Sequence, residues 1–183
     1  MEFVAILAGA VIFCILYPLA GTYRKYEASK ELRKKLQALN FVTTHELICP
    51  AAELYIDAEN KNWFVRRDLT NSTPDIRDAS EIDFFDIREN GNLILTAYSG
   101  KPFSTAFFAD IEHNHIIPPT GKCNEFYIRI KTRGEKEENI FISLLNSNVQ
   151  RTSPEYRTAL NNARNTVTAL SGFLNSPIVR KDK

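Results

Sequence analysis

Hydrophobic and polar residues follow three different patterns along the chain, and the first of them is a continuous apolar run. Phe3–Ala20 contains no charged residue. A helix of about 18 residues spans roughly 27 Å, which is close to the thickness of a bilayer core. The run therefore predicts a transmembrane anchor over residues 1–22, with the rest of the chain attached to it.

Three other interpretations of the apolar run were weighed against a retained anchor. A cleaved signal peptide would leave an exported domain, and Pro18-Leu19-Ala20 resembles a small-residue cleavage site, although no basic residue precedes the run. A lipoprotein signal needs a small residue before Cys14, where this chain has Phe13. A buried core helix would carry polar residues on one face, and this run has none. A retained anchor fits the sequence best.

Residues 23–40 are predicted to form a basic helix next to the membrane. The segment lacks Gly and Pro, and Leu32, Leu36 and Leu39 form one narrow apolar stripe, suited to lying on the following domain or pairing with a neighbouring helix. Excess Lys and Arg marks the cytoplasmic side. We therefore expect a single-pass protein of the cell membrane with a cytoplasmic C-terminal domain. The candidate contacts to anionic lipid are Arg24, Lys25, Arg33, Lys34 and Lys35.

Between residues 41 and 146 the period changes from helical to alternating, which predicts β-strands. Phe126, Ile128 and Ile130 alternate with more polar residues, as in a half-buried strand. The dipeptide Asn90-Gly91 favours a tight hairpin turn. About seven short, mostly antiparallel strands are predicted, at residues 43–48, 53–56, 63–67, 82–88, 93–98, 126–131 and 140–144.

The last pattern predicts a C-terminal amphipathic helix. Ser153 suits the N-cap, Pro154 the first helical position and Glu155 the positive end of the helix dipole. An apolar stripe follows at helical spacing, and the helix should end near residues 172–176. The predicted fold class is α+β, mainly β. It is a bent antiparallel barrel over residues 41–176, capped by this helix and followed by a tail over 177–183.

This order of elements resembles a pleckstrin-homology-like (PH-like) domain of the bacterial, uncharacterised type. The resemblance rests on the strand-turn-strand Leu54–Val65, on Ala79–Ile87 followed by the Asn-Gly turn, and on the Ser-Pro-x-Tyr start of the final helix. Many members of this superfamily are adaptor modules that bind lipids, peptides or other proteins. The resemblance implies a scaffold or binding protein, not an enzyme, that recruits a protein or peptide partner at the membrane.

The resemblance also implies where a peptide would bind. In PH-like folds, peptides dock between the terminal helix and the adjacent sheet edge and add a strand to the sheet. The resemblance places that edge within Ala79–Ile87, without fixing which strand is free. On the polar face of the helix, Arg157, Asn161 and Arg164 supply donors for a peptide backbone or an acidic side chain.

Charge argues against two other kinds of ligand. The formal net charge is +1, whereas a nucleic-acid-binding domain is expected to be strongly basic. The first hairpin loop contains Asp57, Glu59 and a single lysine, Lys61, so it would repel an anionic lipid headgroup. Neither nucleic acid nor a phosphoinositide is therefore an expected partner of this domain.

No cofactor is predicted, and the weak candidates for a metal site lie in the irregular stretch Asp110–Cys123. His113 and His115 on an extended segment would project to one face, and Cys123 or a carboxylate would complete a zinc shell. The ordinary interpretation is a polar surface loop. A small metal-dependent or hydrolytic enzyme using this stretch is the alternative function, and an exported binding domain after anchor cleavage is another. The sequence contains no phosphate loop and no nucleophile elbow.

Overall fold

The computed structural model describes residues 21–99, 101, 120–134, 137–145 and 147–175 of the 183-residue chain. Residues 21–38 are helical and are called α1. The second helix, α2, is Pro154–Asn175, and a short 3-10 turn occupies Ala79–Glu81. The strands of the described part are β1 (His45–Ile48), β2 (Glu53–Asp57), β3 (Asn62–Arg66), β4 (Arg77–Asp78), β5 (Ile82–Glu89), β6 (Asn92–Tyr98), β7 (Lys122–Cys123), β8 (Phe126–Thr132), β9 (Asn139–Leu145) and β10 (Val149–Gln150).

The strands form two four-stranded antiparallel sheets and one two-stranded ribbon. Sheet A has the order β1-β2-β3-β4, sheet B has the order β6-β5-β8-β9, and β7 pairs with β10. The seven strands predicted from alternation are confirmed as β1, β2, β3, β5, β6, β8 and β9, with boundaries shifted by one or two residues. The two-residue strands β4, β7 and β10 are too short to carry an alternating pattern, which is why the sequence did not predict them.

Helix α1 covers the face of sheet A that points away from the main core. Leu32 and Leu36 from the helix pack with Phe41, with Tyr55 of β2 and with Phe64 of β3. The Tyr55 and Phe64 rings stack with centroids 4.7 Å apart, and Phe41 meets Phe64 edge-on at 5.4 Å. Leu32 and Leu36 of the predicted apolar stripe therefore dock onto the sheet, whereas Leu39, its third residue, is 57% exposed.

The end of α1 is fixed by a Schellman motif. Asn40 has a positive φ of 54°, the left-handed conformation that this motif requires just beyond the helix. The N–H of Phe41 donates to the carbonyl of Leu36 at 2.9 Å, and the N–H of Asn40 donates to that of Gln37 at 3.1 Å. Phe41 and Leu36 also share the small hydrophobic cluster, so the cap and the docking of the helix support each other.

The main core lies between the inner faces of the two sheets and is closed on one side by α2. The N-cap prediction is confirmed, since the helix begins at Pro154 and the N–H of Tyr156 donates to Ser153 Oγ at 3.2 Å. The predicted apolar stripe of the helix is buried in this core through Tyr156, Ala159, Ala163, Val167, Leu170 and Phe173. The fold is thus α+β and mainly β, as predicted for the sheet part.

The predicted transmembrane part of the fold is corrected by the structure. Neither helix within the described ranges is long and apolar enough to cross a membrane. Helix α1 is rich in Lys and Arg and uses its apolar stripe against sheet A, and α2 has charged and amide side chains on one face. Residues 1–20, which carried the anchor prediction, lie outside the described residues. The predictions of a single-pass fold, of the membrane as partner and of a cell-membrane location with a cytoplasmic C-terminal domain are therefore wrong.

Candidate functional site

Helix α2 lies between two edge strands. It contacts β1, an edge of sheet A, and β9, an edge of sheet B. The expectation that the free edge lies within Ala79–Ile87 is wrong, because Ala79–Glu81 is a 3-10 turn and β5 pairs with β6 on one side and β8 on the other. Two places remain where an edge strand borders the helix, one at β1 and one at β9.

The boundary between α2 and β1 is bridged by direct contacts. His45 Nε2 lies 3.1 Å from Thr166 Oγ1, which is fully buried in the helix interface. Burial lowers the pKa of His45, and the nearby carboxylate of Glu46 opposes this change. Further along the helix, the Lys61 ammonium lies 5.9 Å from the centre of the Phe173 ring. The β1 side of the helix is therefore occupied by the protein's own side chains.

The hydrogen-bond ladder shows which backbone groups of β9 point towards β8. The N–H of Thr132 donates to the carbonyl of Glu138 at 3.0 Å, which makes these residues a hydrogen-bonded pair. Such pairs recur at every second residue of an antiparallel ladder, and Ile140 and Ile142 follow in the same register opposite Ile130. Ile140 and Ile142 therefore direct their backbone groups at β8.

Phe141 and Ser143 consequently point their N–H and C=O groups away from β8. Among the residues that the structure describes, no backbone group pairs with this edge, because β9 is hydrogen-bonded to β8 alone. The Phe141 side chain is 55% exposed and meets the ring of Tyr127 edge-on, with centroids 5.7 Å apart. Within the described residues, sheet B thus ends in an unpaired strand edge with an exposed aromatic ring on its outer face.

An arginine–carboxylate cluster braces the outer face of sheet B beside this edge. Arg129 Nε donates to Asp86 Oδ2 at 3.0 Å, and the guanidinium lies 5.1 Å from the centre of the Phe84 ring. Phe84 in turn packs against Tyr98 at 5.6 Å. Asp86 is 1% exposed, and within the described part of the chain its Oδ1 and the Nε of Arg88 have no hydrogen-bond partner. The cluster fixes β8 and β5 in place behind β9.

The three residues predicted to bind a partner share one flank of α2. Arg157 and Asn161 are exposed, and Arg164 is partly buried. At 3.6 residues per turn, Arg157 lies about 180° around the helix from Thr166, the residue that contacts β1. Since α2 packs between β1 and β9, this flank is the one that borders β9. The structure therefore brings the predicted residues together on one side, and their role in binding stays a prediction.

The predicted lipid-contacting residues of α1 differ in their surroundings. Arg24, Lys25, Arg33 and Lys34 are exposed. Lys35 is engaged within the protein, because its Nζ donates to Ser72 Oγ at 3.0 Å and lies 3.0 Å from a carboxylate oxygen of Glu31. Lys35 thus ties α1 to the loop after β3. Contact of the exposed residues with lipid stays a prediction.

The candidate metal residues do not come together as a site within the described ranges. His113 and His115 lie outside the described residues. No group of three or more His, Cys, Asp or Glu side chains suited to a metal ion occurs among those described. Burial, and then the charge of Glu89, raises the pKa of Cys123 to about 11, and burial does the same for Cys49. Because the thiolate is the reactive and metal-binding form, both thiols are held in an inert state.

Cys123 lies beside a buried hydrogen-bond network centred on Glu89. Glu89 Oε1 accepts from Arg151 Nε at 2.6 Å, and its Oε2 accepts from the Tyr156 hydroxyl at 3.2 Å. Arg151 also donates to the carbonyl of Thr120 at 2.9 Å. Burial, and then the charge of Glu89, raises the pKa of Tyr156. This buried network joins β5, the β7–β10 ribbon and the first turn of α2, and it positions the helix beside β9.

Comparison of the chain with protein-family models, with curated proteins and with solved structures gave no significant match. The class of the protein is therefore defined by its fold and candidate site. It is an α+β, mainly β domain in which, as far as the described residues go, an unpaired edge strand lies next to helix α2.

Sequence reasoning missed the residues of the β9 edge. One signal was available, since Phe141 is an aromatic residue at a position where an alternating strand would place a polar one, between Ile140 and Ile142. A single exposed aromatic residue is common on protein surfaces, so this signal alone did not identify a contact surface. The sequence around Ser143 does not show that its backbone groups point outward, because their direction depends on which strand pairs with β9.

Proposed function

We propose that this protein is a non-enzymatic binding module of PH-like type that takes up an extended peptide segment of a partner protein as an additional strand of sheet B. The observation that carries the proposal is the outward-pointing backbone of Phe141 and Ser143 on β9, next to α2. In strand addition, main-chain hydrogen bonds supply affinity and pockets for alternate side chains supply specificity.

The β9 edge suits this role better than the β1 edge. β9 has 7 residues and β1 has 4, so β9 offers a longer row of donors and acceptors. The gap between β1 and α2 is bridged by the His45–Thr166 contact. On the β9 side, the helix presents Arg157 and Asn161 to solvent.

The sequence of β9 also supports the proposal. Its residues, Asn-Ile-Phe-Ile-Ser-Leu-Leu, include neither a charged residue nor a proline. Proteins usually protect a long edge strand with Lys, Pro or a bulge on its free side, because an unprotected edge pairs with other chains. β9 has a bulge at Leu144, near its C-terminal end. The preceding stretch, residues 140–143, has none of these devices, as expected where pairing is the function.

The PH-like assignment within this proposal is supported by the general architecture. Two antiparallel sheets enclose the core, and the C-terminal helix packs against an edge strand of each sheet. The helix starts at the Ser-Pro-x-Tyr sequence on which the resemblance rests. The recruiting partner is expected to be a protein with an exposed or disordered segment, since only an extended chain can add to a sheet edge.

The proposal can be tested with a proline at Ser143. Ser143→Pro removes an outward N–H without breaking a hydrogen bond to β8, and edge strands tolerate proline in this orientation. Ser143→Ala is the matched control, because both variants lose the bond from Ser143 Oγ to the carbonyl of Leu145 but only proline removes the N–H. Peptides would be selected on the full chain from a random displayed library, and their affinities measured by fluorescence anisotropy.

We expect Ser143→Pro to weaken selected peptides by about tenfold or more, which corresponds to about 1.4 kcal/mol. Ser143→Ala should stay within about twofold of the parent protein. Thermal melts would show that both variants are folded. If no library peptide binds above background, or if the proline variant binds as well as the alanine variant, the proposal is wrong.

A further inference from the structure

We infer that the segment bound at β9 is acidic on the side chains that face α2 and apolar on the side chains that face Phe141. This inference rests on the proposed strand addition and names the chemistry of the partner. Side chains of an added strand alternate between the two faces of the sheet, so the two faces select independently.

The preference for acidic side chains follows from the charges of α2. The charged residues of this helix are Glu155, Arg157 and Arg164. Glu155 precedes Arg157 by two residues and therefore lies about 200° away from it around the helix, towards β1. Arg157 is thus the exposed cation of α2 on the flank that borders β9, and the one acidic residue of the helix, Glu155, lies on the other side. An aspartate or glutamate of the partner gains attraction there and a basic residue is repelled.

The strand itself does not oppose this preference. β9 has no charged residue, and the two carboxylates immediately before it are held in ion pairs. Glu137 pairs with Lys131, and Glu138 pairs with Arg77 and with Arg67. Among the described residues at that end of the strand, an acidic segment approaching along β9 therefore meets no carboxylate without an ion-pair partner.

The preference for apolar side chains follows from the outer face of sheet B. The ring of Phe141 is half-exposed and rests against Tyr127. A residue directly opposite Phe141 on an added strand would have its Cβ about 5 Å away. Aromatic and β-branched residues make the most favourable cross-strand pairs, so valine, isoleucine or an aromatic residue is expected at alternate positions of the partner.

Designed peptides of the same length as β9, 7 residues, test the inference directly. The first alternates Glu and Val, the second alternates Lys and Val, and the third has the composition of the first with its Glu and Val residues in separate blocks. Binding of the full chain to each labelled peptide would be measured by fluorescence anisotropy at low and moderate salt. We expect the Glu/Val alternating peptide to bind about tenfold more tightly than either of the others.

Two charge reversals locate the source of the preference. Arg157→Glu should reduce the advantage of the Glu/Val over the Lys/Val peptide by about tenfold, or reverse it. Arg33→Glu makes the same charge change on the exposed side of α1 and should leave the advantage intact. Ser143→Pro should weaken every peptide that binds, whatever its charge.

The outcomes separate this inference from the proposed function. If the Lys/Val peptide binds as well as the Glu/Val peptide, the acidic preference is wrong. It is also wrong if Arg157→Glu reduces the affinity advantage of the Glu/Val peptide no more than Arg33→Glu does. If the block peptide binds as well as the alternating one, the two-face specificity is wrong. In either case, a loss of binding in Ser143→Pro would still support strand addition, and equal binding by that variant would overturn both.

Discussion

Glu53 and Arg66 form an ion pair within the face of sheet A that α1 covers, with 3.1 Å between Oε2 of Glu53 and Nη1 of Arg66. The hydroxyl of Tyr55 donates to the same carboxylate oxygen at 2.8 Å. Arg66 also donates to Ser29 Oγ of α1 at 3.2 Å. The exposed fractions of the two charged side chains are 4% for Arg66 and 10% for Glu53, so the pair joins helix and sheet in an almost water-free layer.

Glu53→Ala should lower the free energy of unfolding by about 3–5 kcal/mol, because it leaves the guanidinium of Arg66 buried without its partner. Replacing both residues with methionine should recover most of the loss, since no unpaired charge remains. Arg67→Ala is the control, as its pair with Glu138 is largely exposed and should contribute less than about 1 kcal/mol. Urea unfolding measures all three. Equal effects of Glu53→Ala and Arg67→Ala would contradict this account.

Two substitutions at Asn90, in the turn between β5 and β6, distinguish the contribution of backbone conformation to stability from that of side-chain hydrogen bonds. Asn90 and Gly91 have φ values of 48° and 77°, and Asn90 Oδ1 accepts from the N–H groups of Asn124 and Glu125 at 2.8 and 3.2 Å. Asn90→Gly keeps the conformation and loses the bonds, which should cost about 1 kcal/mol. Asn90→Ala also forces a side chain into the left-handed region and should cost about 1–2 kcal/mol more. Equal stabilities of the two variants would show that the conformation carries no strain.

The stability of the protein should fall in mildly acidic solution because of His45. Burial lowers the pKa of His45 in the folded state, so the unfolded chain takes up a proton first as the pH drops below about 6.5. The contribution of His45 is therefore complete above that pH and is lost as the pH falls towards the folded pKa. His45→Gln should show a smaller loss of unfolding free energy between about pH 7.5 and about pH 5 than the parent protein. A larger loss in the variant would mean that the folded state favours the charged imidazole.

Thiol reactivity should report on unfolding. In a Cys14→Ser background, Cys49 and Cys123 are both buried, and the pKa of each is raised to about 11. The fraction of thiolate at pH 8 is then about 0.1%, and a disulfide reagent should react at the rate at which the protein opens. Adding urea should accelerate labelling in step with unfolding. Rapid labelling of either thiol in the folded protein would place it at the surface.

The sequence predicts those parts of the fold that are encoded locally. β8 and β9 alternate in their own sequences, Asn90-Gly91 marks the turn between β5 and β6, and the start of α2 is specified by Ser153 and Pro154. The burial of β2 could not be predicted in this way. Glu53, Tyr55 and Asp57 form a polar row that suggests an exposed face, yet all three are buried. Their burial depends on the docking of α1 and on hydrogen bonds that satisfy their side chains.

For the candidate site too, only the part encoded locally could be predicted from the sequence. Arg157, Asn161 and Arg164 follow helical spacing, and the structure places them on one flank of α2. The strand beside them was not predictable, because the order of sheet B depends on β8 pairing with β5 across a long stretch of chain. Phe141 becomes recognisable as an edge residue only when that order is known.

The sandwiching of β2 between α1 and the main core has a consequence for amide hydrogen exchange. β2 is paired on both sides, and all of its residues are buried, so detachment of α1 alone would leave its amide hydrogens bonded to β1 and β3. These amides should exchange only when the whole domain opens. No described residue protects the outward amides of Phe141 and Ser143 in this way, so these amides should exchange from the native state. A bound strand would slow exchange at Phe141 and Ser143 and leave the exchange rates of the β2 amides unchanged. The slowest-exchanging amides therefore lie in sheet A, and the amides that respond to a partner lie in sheet B.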